Sequence, residues 1–254
     1  MTSNGFNPPS IGIAGIGIYL PEQVETAADI ARQTGIPEQV VSEKLGVRRK
    51  YLAGPDDLPS RMAAQAAEQA LVDANVDPSD VDLLIYHGSE YKDYMVWSVA
   101  ARIQHLIGAT RAYAYEVYAL CAAAPLALKV ARDQMRSDPS LRNVLLVAAA
   151  RENDLVSYGN ERARFMFNFG AGGSAILLRR DHPRNSVLES AVLVDGSFSE
   201  NVVMRGGGAR HPASTTTFAD GWHQLDVLQL EDMRDRLGEV SLPNFVRVVD
   251  DAVS

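Results

Sequence analysis

The sequence predicts an α/β layered domain with a largely parallel sheet, and three observations carry that expectation. Of 254 residues, 46% are hydrophobic, enough to bury a substantial core. β-branched runs alternate along the chain with alanine- and leucine-bearing helical patterns, the order expected of strands joined by helical crossovers. The first run, Ile11 to Ile18 (IGIAGIGI), is apolar at nearly every position, as a strand buried on both faces would be. The crossovers are expected to be right-handed.

Taken in order, Met1 to Ser10 is Asn-, Pro- and Ser-rich and reads as a flexible N-terminus. The strand at Ile11 to Ile18 follows, with glycines where another backbone comes close, and Pro21 ends it. Thr26 to Gln33 is helical, Gly35-Ile36-Pro37 interrupts, and a second stretch runs towards Leu45 with Gly46 at its end. Arg61 to Asn75 is the clearest early helix, with Ser60 as N-cap and Met62, Ala66, Ala70 and Leu71 on one side. Its alanines suit close packing on a flat surface. Val81 to Tyr86 is a strand, and Val96 to Leu106 a helix with Gly108 beyond it.

The apolar segment Ala112 to Val117 leads into Leu120-Cys121-Ala122, and Pro125 fits the first turn of a helix reaching Met135. Asp138-Pro139-Ser140 is a turn. Val144 to Ala149, Ala175 to Leu178 and Val187 to Val194 are further strands. From Ser197 to Gln224 periodicity fades, as in a substrate-facing loop or a poorly ordered excursion. Glu231 to Leu237 and Leu242 to Val253 are two helices, the second stopping at Ser254 without a glycine or proline.

The 32 acidic against 24 basic residues give a formal charge of -8, which argues against a nucleic-acid surface. No run approaches the 18 or so apolar residues of a membrane span, and the N-terminus lacks signal-peptide order. One cysteine excludes an intrachain disulfide and a cysteine-rich zinc site, and the five histidines show no metal-binding spacing, so no metal is expected. A cytoplasmic protein is the simplest reading.

Cys121 stands between a strand and a helix start, where amide N–H groups and the helix dipole favour a thiolate able to carry an acyl group. Position alone leaves a second reading, a small buried hydrophobe. His87 directly follows a strand, where α/β sites form, or is simply satisfied there. His105 reads as structural or surface, and His211 and His223 lie in the unpatterned region. Gly170 to Gly173 precedes a strand without a following lysine, so tight packing explains it better than phosphate binding. Arg48, Arg49 and Lys50 form a compact basic triplet, either a phosphate-binding group or a solvated patch.

Four segments in order resemble the ketosynthase III family, the thiolase-superfamily enzymes related to bacterial 3-oxoacyl-carrier-protein synthase III. They are Gly46-Val47-Arg48-Arg49, Arg61-Met62-Ala63, Glu116 to Leu128 (EVYALCAAAPLAL) and Phe169-Gly170-Ala171-Gly172-Gly173-Ser174. The resemblance covers nearly everything after the first ten residues. It implies a thiolase-like layered fold, with this chain as the Cys-bearing half of a duplicated αβαβα architecture. The domains are then 11–196, a thiolase-like α/β domain, and 197–254, an excursion and the start of a second half.

The resemblance also implies an acyltransferase in which Cys121 is acylated by a thioester and Arg48 contacts the phosphate or pantetheine of the donor. Decarboxylative condensation or acyl transfer to an acceptor would follow. No cofactor is bound permanently, and an acyl-carrier-protein or coenzyme A thioester serves as substrate. Ala122 after the nucleophile, Ala171 where aspartate is usual, and no tryptophan between Val40 and Leu45 depart from the family pattern. They favour a carrier protein over coenzyme A and a specialised pathway such as polyketide biosynthesis. The histidine and asparagine of the family's later half have no match here, so that half is expected to be missing, cleaved or a separate chain. Expected partners are a second copy or a chain supplying that half. A non-catalytic subunit of a heteromeric ketosynthase is the alternative.

Overall fold

The computed structural model describes residues 9–254, so most of the N-terminal segment expected to be loose lies outside the described residues. In chain order the elements begin with β1 (Ile11–Tyr19), β2 (Gln23–Thr26), α1 (Ala27–Thr34), α2 (Glu38–Glu43), β3 (Arg49–Leu52), α3 (Pro59–Ala74), β4 (Leu83–Gly88) and α4 (Val99–Leu106). They continue with β5 (Tyr113–Tyr118), α5 (Ala123–Ser137), β6 (Asn143–Ala150), β7 (Gly172–Arg180), β8 (Val202–Met204), α6 (Thr215–Ala219), β9 (Leu225–Val227) and α7 (Leu230–Val253). Two compact units result: among the described residues, 9–22, 53–151 and 171–190 form one, and 23–52, 152–170 and 191–254 the other.

The first unit is a sheet ordered β1-β7-β6-β4-β5. β4 pairs in parallel with β5 and β6, while β7 runs antiparallel between β6 and β1. The sheet is therefore largely parallel with β7 reversed. Alternate side chains of β4 and β6 sort its two cores. Leu84, Tyr86, Leu145 and Val147 pack with α3 and α4, whereas Leu83, Ile85, Val144 and Leu146 pack with α5. That is why these strands read as unbroken apolar runs. Each fully buried Leu or Ile contributes about 2 kcal/mol.

The chain steps from β4 to β5 in one direction and from β5 past β4 to β6 in the other. Crossovers of one hand then place α4 and α5 on opposite faces. The sheet order reverses at β4, and the carboxyl ends of β4 and β5 flank that point.

Several expectations need correction. β1 is not buried on both faces: Gly15 and Gly17 face α3, but Ile16 and Ile18 are each 56% exposed. Their backbone N–H groups donate to Asp73 Oδ2 and Gln69 Oε1 of α3. These side chains occupy the strand edge. Residues 187–194 form no strand; the antiparallel contact of this stretch with β1 is local, through Ile13 N–H to Asn185 O and Val187 N–H to Ile11 O. Ser60 is not an N-cap, because Leu58 caps α3 with Pro59 in its first turn; Ser60 instead donates through its hydroxyl and N–H to Asp93. α4 starts at Val99, since Val96 has φ of 50°.

The second unit holds the β2–β3 and β8–β9 pairs, α1, α2, α6 and α7. Thr26 caps α1 in a reciprocal pair with Asp29, and Gly35 at φ 72° closes it. The unpatterned region, residues 197–224, contains β8 and α6, and β9 follows directly after it. The two expected C-terminal helices are one, α7, which runs through Pro243. Among the described residues no helix is long and apolar enough to cross a membrane.

Candidate functional site

Cys121 is a free, exposed cysteine. Exposure removes the buried-hydrophobe reading. β5 delivers the chain to the sheet's carboxyl edge, Leu120 turns it through a left-handed φ of 50°, and a single helical turn at Leu120–Ala122 runs straight into α5. Leucine in that region is strained, and such strain persists where the surroundings fix it. Ala122 N–H donates to Ala119 O, and no side chain caps α5. The positive end of a 15-residue helix thus begins beside the sulfur, suited to stabilising negative charge on a thioester oxygen. Pro125 occupies the first turn as expected.

The strand beneath is braced. Glu116 of β5 accepts from Val99 N–H at 2.9 Å, holding the first turn of α4, and from Lys92 Nζ at 2.7 Å. Burial works against the Lys92 charge, but the hydrogen bond and attraction from Glu116 outweigh it and raise its pKa. Lys92 and Glu116 carried no signal in the sequence beyond their polarity. Between Lys92 and α4, Tyr94, Met95 and Val96 stand exposed.

His87, next to last in β4, lies opposite Val117 of β5, so it shares the sheet's carboxyl edge with the strand leading to Cys121. It is buried, and burial alone pushes its imidazole from 6.5 down to about 4. It is neutral at pH 7. His105 lies exposed in the last turn of α4. In the second unit His211 meets Trp222 edge-on, and His223 stacks on Phe218 and bonds Thr217 at 2.9 Å. Among the described residues no group of His, Cys, Asp and Glu could hold a metal ion.

The glycines that open β7 serve packing: a Cβ at Gly173 would lie 2.4 Å from Met62 O, and one at Gly172 3.1 Å from Tyr19 O. The basic triplet does not survive as a group. Arg48 and Arg49 are exposed in the second unit, and among the described residues Arg48 forms no ion pair. Lys50 turns inward, buried, with Nζ 3.3 Å from Glu25. Alternation along β3 separates Lys50 from Arg49, which residue type alone does not reveal. Cys121 belongs to the first unit and Arg48 to the second.

Residues 115–196 match the family model described as 3-oxoacyl-[acyl-carrier-protein] synthase III. A relative from Granulibacter bethesdensis, a beta-ketoacyl-[acyl-carrier-protein] synthase III, is 30% identical over 206 residues, covering 80% of this chain and 63% of its own length. The chain thus spans a little under two thirds of the length of such curated relatives. A crystal structure of a 3-oxoacyl-(acyl-carrier-protein) synthase III matches 96% of this chain and 74% of its own at 26% identity, with a TM-score of 0.80. The priming β-ketosynthase of the R1128 polyketide pathway shares the fold over 92% of this chain and 68% of its own, at 23% identity and a TM-score of 0.75.

Proposed function

We propose, from its similarity to β-ketoacyl-[acyl-carrier-protein] synthase III enzymes of the thiolase superfamily, that this chain is the acyl-accepting lobe of a ketosynthase-like acyltransferase, with Cys121 as nucleophile. The observation that carries this reading is the exposed cysteine on a strained turn at the start of α5, at the carboxyl edge of parallel strands. A thioester donor, on coenzyme A or an acyl carrier protein, presents its carbonyl carbon to the Cys121 thiolate. The tetrahedral oxyanion forms within the field of the helix N-terminus. Collapse breaks the donor's C–S bond, the leaving thiolate takes up a proton, and the acyl group remains on Cys121.

In the second half-reaction a malonyl thioester loses carbon dioxide and its carbanion attacks the acyl-cysteine. This gives a 3-oxoacyl thioester and regenerates the thiolate. An alcohol or amine acceptor would give an ester or amide instead. The histidine and asparagine that the family uses to activate these steps would come from residues outside this chain, in a partner or a continuation. Arg48 supplies positive charge to the phosphate of the donor. Residues 11–196 form the lobe, the working compartment is the cytoplasm, and a polyketide-type pathway suits the departures at Ala122 and Ala171.

Intact mass after incubation with a panel of acyl-coenzyme A and acyl-carrier-protein donors tests the reading, with Cys121→Ser as control. One acyl increment on the native chain and none on the variant is expected. An assembly that contains the remaining family residues and still gains no mass would overturn it.

A further inference from the structure

The second unit buries an ion pair in the middle of a very small sheet. β2 and β3 pair over four residues each, with Glu25 directly opposite Lys50. Both side chains are under 10% exposed. Lys50 Nζ also donates to Phe167 O at 3.0 Å and lies 5.2 Å from the centre of the Tyr158 ring. Glu25 accepts from Gln33 Nε2 of α1 at 2.7 Å and from the Tyr158 hydroxyl. One carboxylate and one ammonium thus tie together β2, β3, α1 and the segment 158–167. Burial lowers the Lys50 pKa, opposed by attraction to Glu25, and burial together with Glu25 raises that of Tyr158.

Such a pair is a poor way to gain stability, because apolar side chains of similar volume often hold a site as well or better. What it supplies is geometry. An isolated two-stranded pair is marginal, and its register is weakly specified. A slip of one residue would turn Lys50 to solvent and carry Arg49 into the interior. Only the observed register satisfies Glu25, Lys50 and Tyr158 together, and it leaves the guanidinium groups of Arg48 and Arg49 outside.

We propose that Lys50, Glu25 and Tyr158 are positioning residues that lock the β2–β3 register and so set Arg48 and Arg49 for the phosphate of a phosphopantetheine-bearing donor. The donor assignment rests on the function proposed above. The register lock stands on this unit's own contacts. Phosphopantetheine is common to coenzyme A and to a carrier protein, and separate measurements with each distinguish them.

The experiment compares the native chain with the triple variant Glu25→Leu, Lys50→Met, Tyr158→Phe, which fills the same space without buried charge. The expected result is a variant that melts no lower than native, with amide hydrogen exchange of residues 48–52 at least about tenfold faster. Its affinity for free coenzyme A, for phosphopantetheinylated carrier protein, or for both falls about tenfold. Alkylation of Cys121 by iodoacetamide keeps its native rate, which a general loss of structure would not allow. Tyr158→Phe alone, which keeps the ion pair, should sit near native in binding.

Native-like exchange at residues 48–52 in a folded triple variant would overturn the lock. Faster exchange with unchanged binding of both donors, or a native chain that binds neither, would overturn the link to the donor. Failure of Cys121 to become acylated, with donor binding intact and sensitive to the triple variant, would count against the nucleophile and not against the positioning residues.

Discussion

At the scale of single residues, the account depends on three side chains in environments that fix their chemistry. Leu120 holds φ of 50° while 59% exposed, so little packing is lost on its removal. Leu120→Gly is expected to stabilise the fold by about 1 kcal/mol in urea unfolding, because glycine adopts this region without the usual side-chain penalty. His87 is buried and neutral, with its pKa lowered from 6.5 to about 4. The unfolded chain then binds a proton that the folded chain refuses, so stability falls as pH drops from 6.5 towards 4. The loss is on the order of 3 kcal/mol at its fullest. His87→Gln should flatten that part of the pH dependence relative to native; parallel curves would refute it. Cys121 was legible as a candidate because it is the chain's one cysteine and lies at a strand-to-helix junction. Its exposure was not, since neighbouring alanines fit a buried or an open site equally well.

Among the elements, the fit of β1 on α3 is the most exacting. A Cβ on Gly17 would come within 2.0 Å of Ala66 O, and one on Gly15 within 2.4 Å of Ala70 O. Neither contact can relax without moving a strand from a helix. Gly17→Ala should therefore destabilise by about 3 kcal/mol or more. Gly196→Ala, where a Cβ meets nothing within 4 Å, should stay within about 0.5 kcal/mol of native in the same denaturation measurement. The glycines of IGIAGIGI announced such an approach, and the alanine-rich run announced its partner. Helices and central strands were legible in this way because their periodicity is local. The β2–β3 pair was not, since its four-residue strands carry too little pattern. The fate of 187–194 was also hidden, because an apolar run does not reveal whether it finds a strand to pair with; of this stretch Val187 N–H reaches Ile11 O of β1. Two helices were expected over residues 231–253, yet α7 runs unbroken through both and through Pro243.

For the whole molecule, the two units are each assembled from separated stretches of chain, so their division could not follow from sequence order. Each leaves apolar side chains in water: Ile16 and Ile18 in the first, and Leu242, Phe245 and Val249 along α7 in the second. Because Phe245 is 70% exposed, Phe245→Ser with Val249→Ser should shift the unfolding free energy of the isolated chain by less than about 0.5 kcal/mol. A larger loss would show that this helix face is covered in solution. The resemblance to the family was legible from four ordered segments, and similar relatives align over most of the chain.

The most direct measurement of the central claim is the position of the acyl group after reaction with a thioester donor. Trypsin should release residues 112–129 as one peptide carrying the chain's one cysteine. The account predicts a single hydroxylamine-labile acyl group on Cys121 within that peptide. An acyl group found on any other residue, with Cys121 unmodified and still free to react with iodoacetamide, would contradict it.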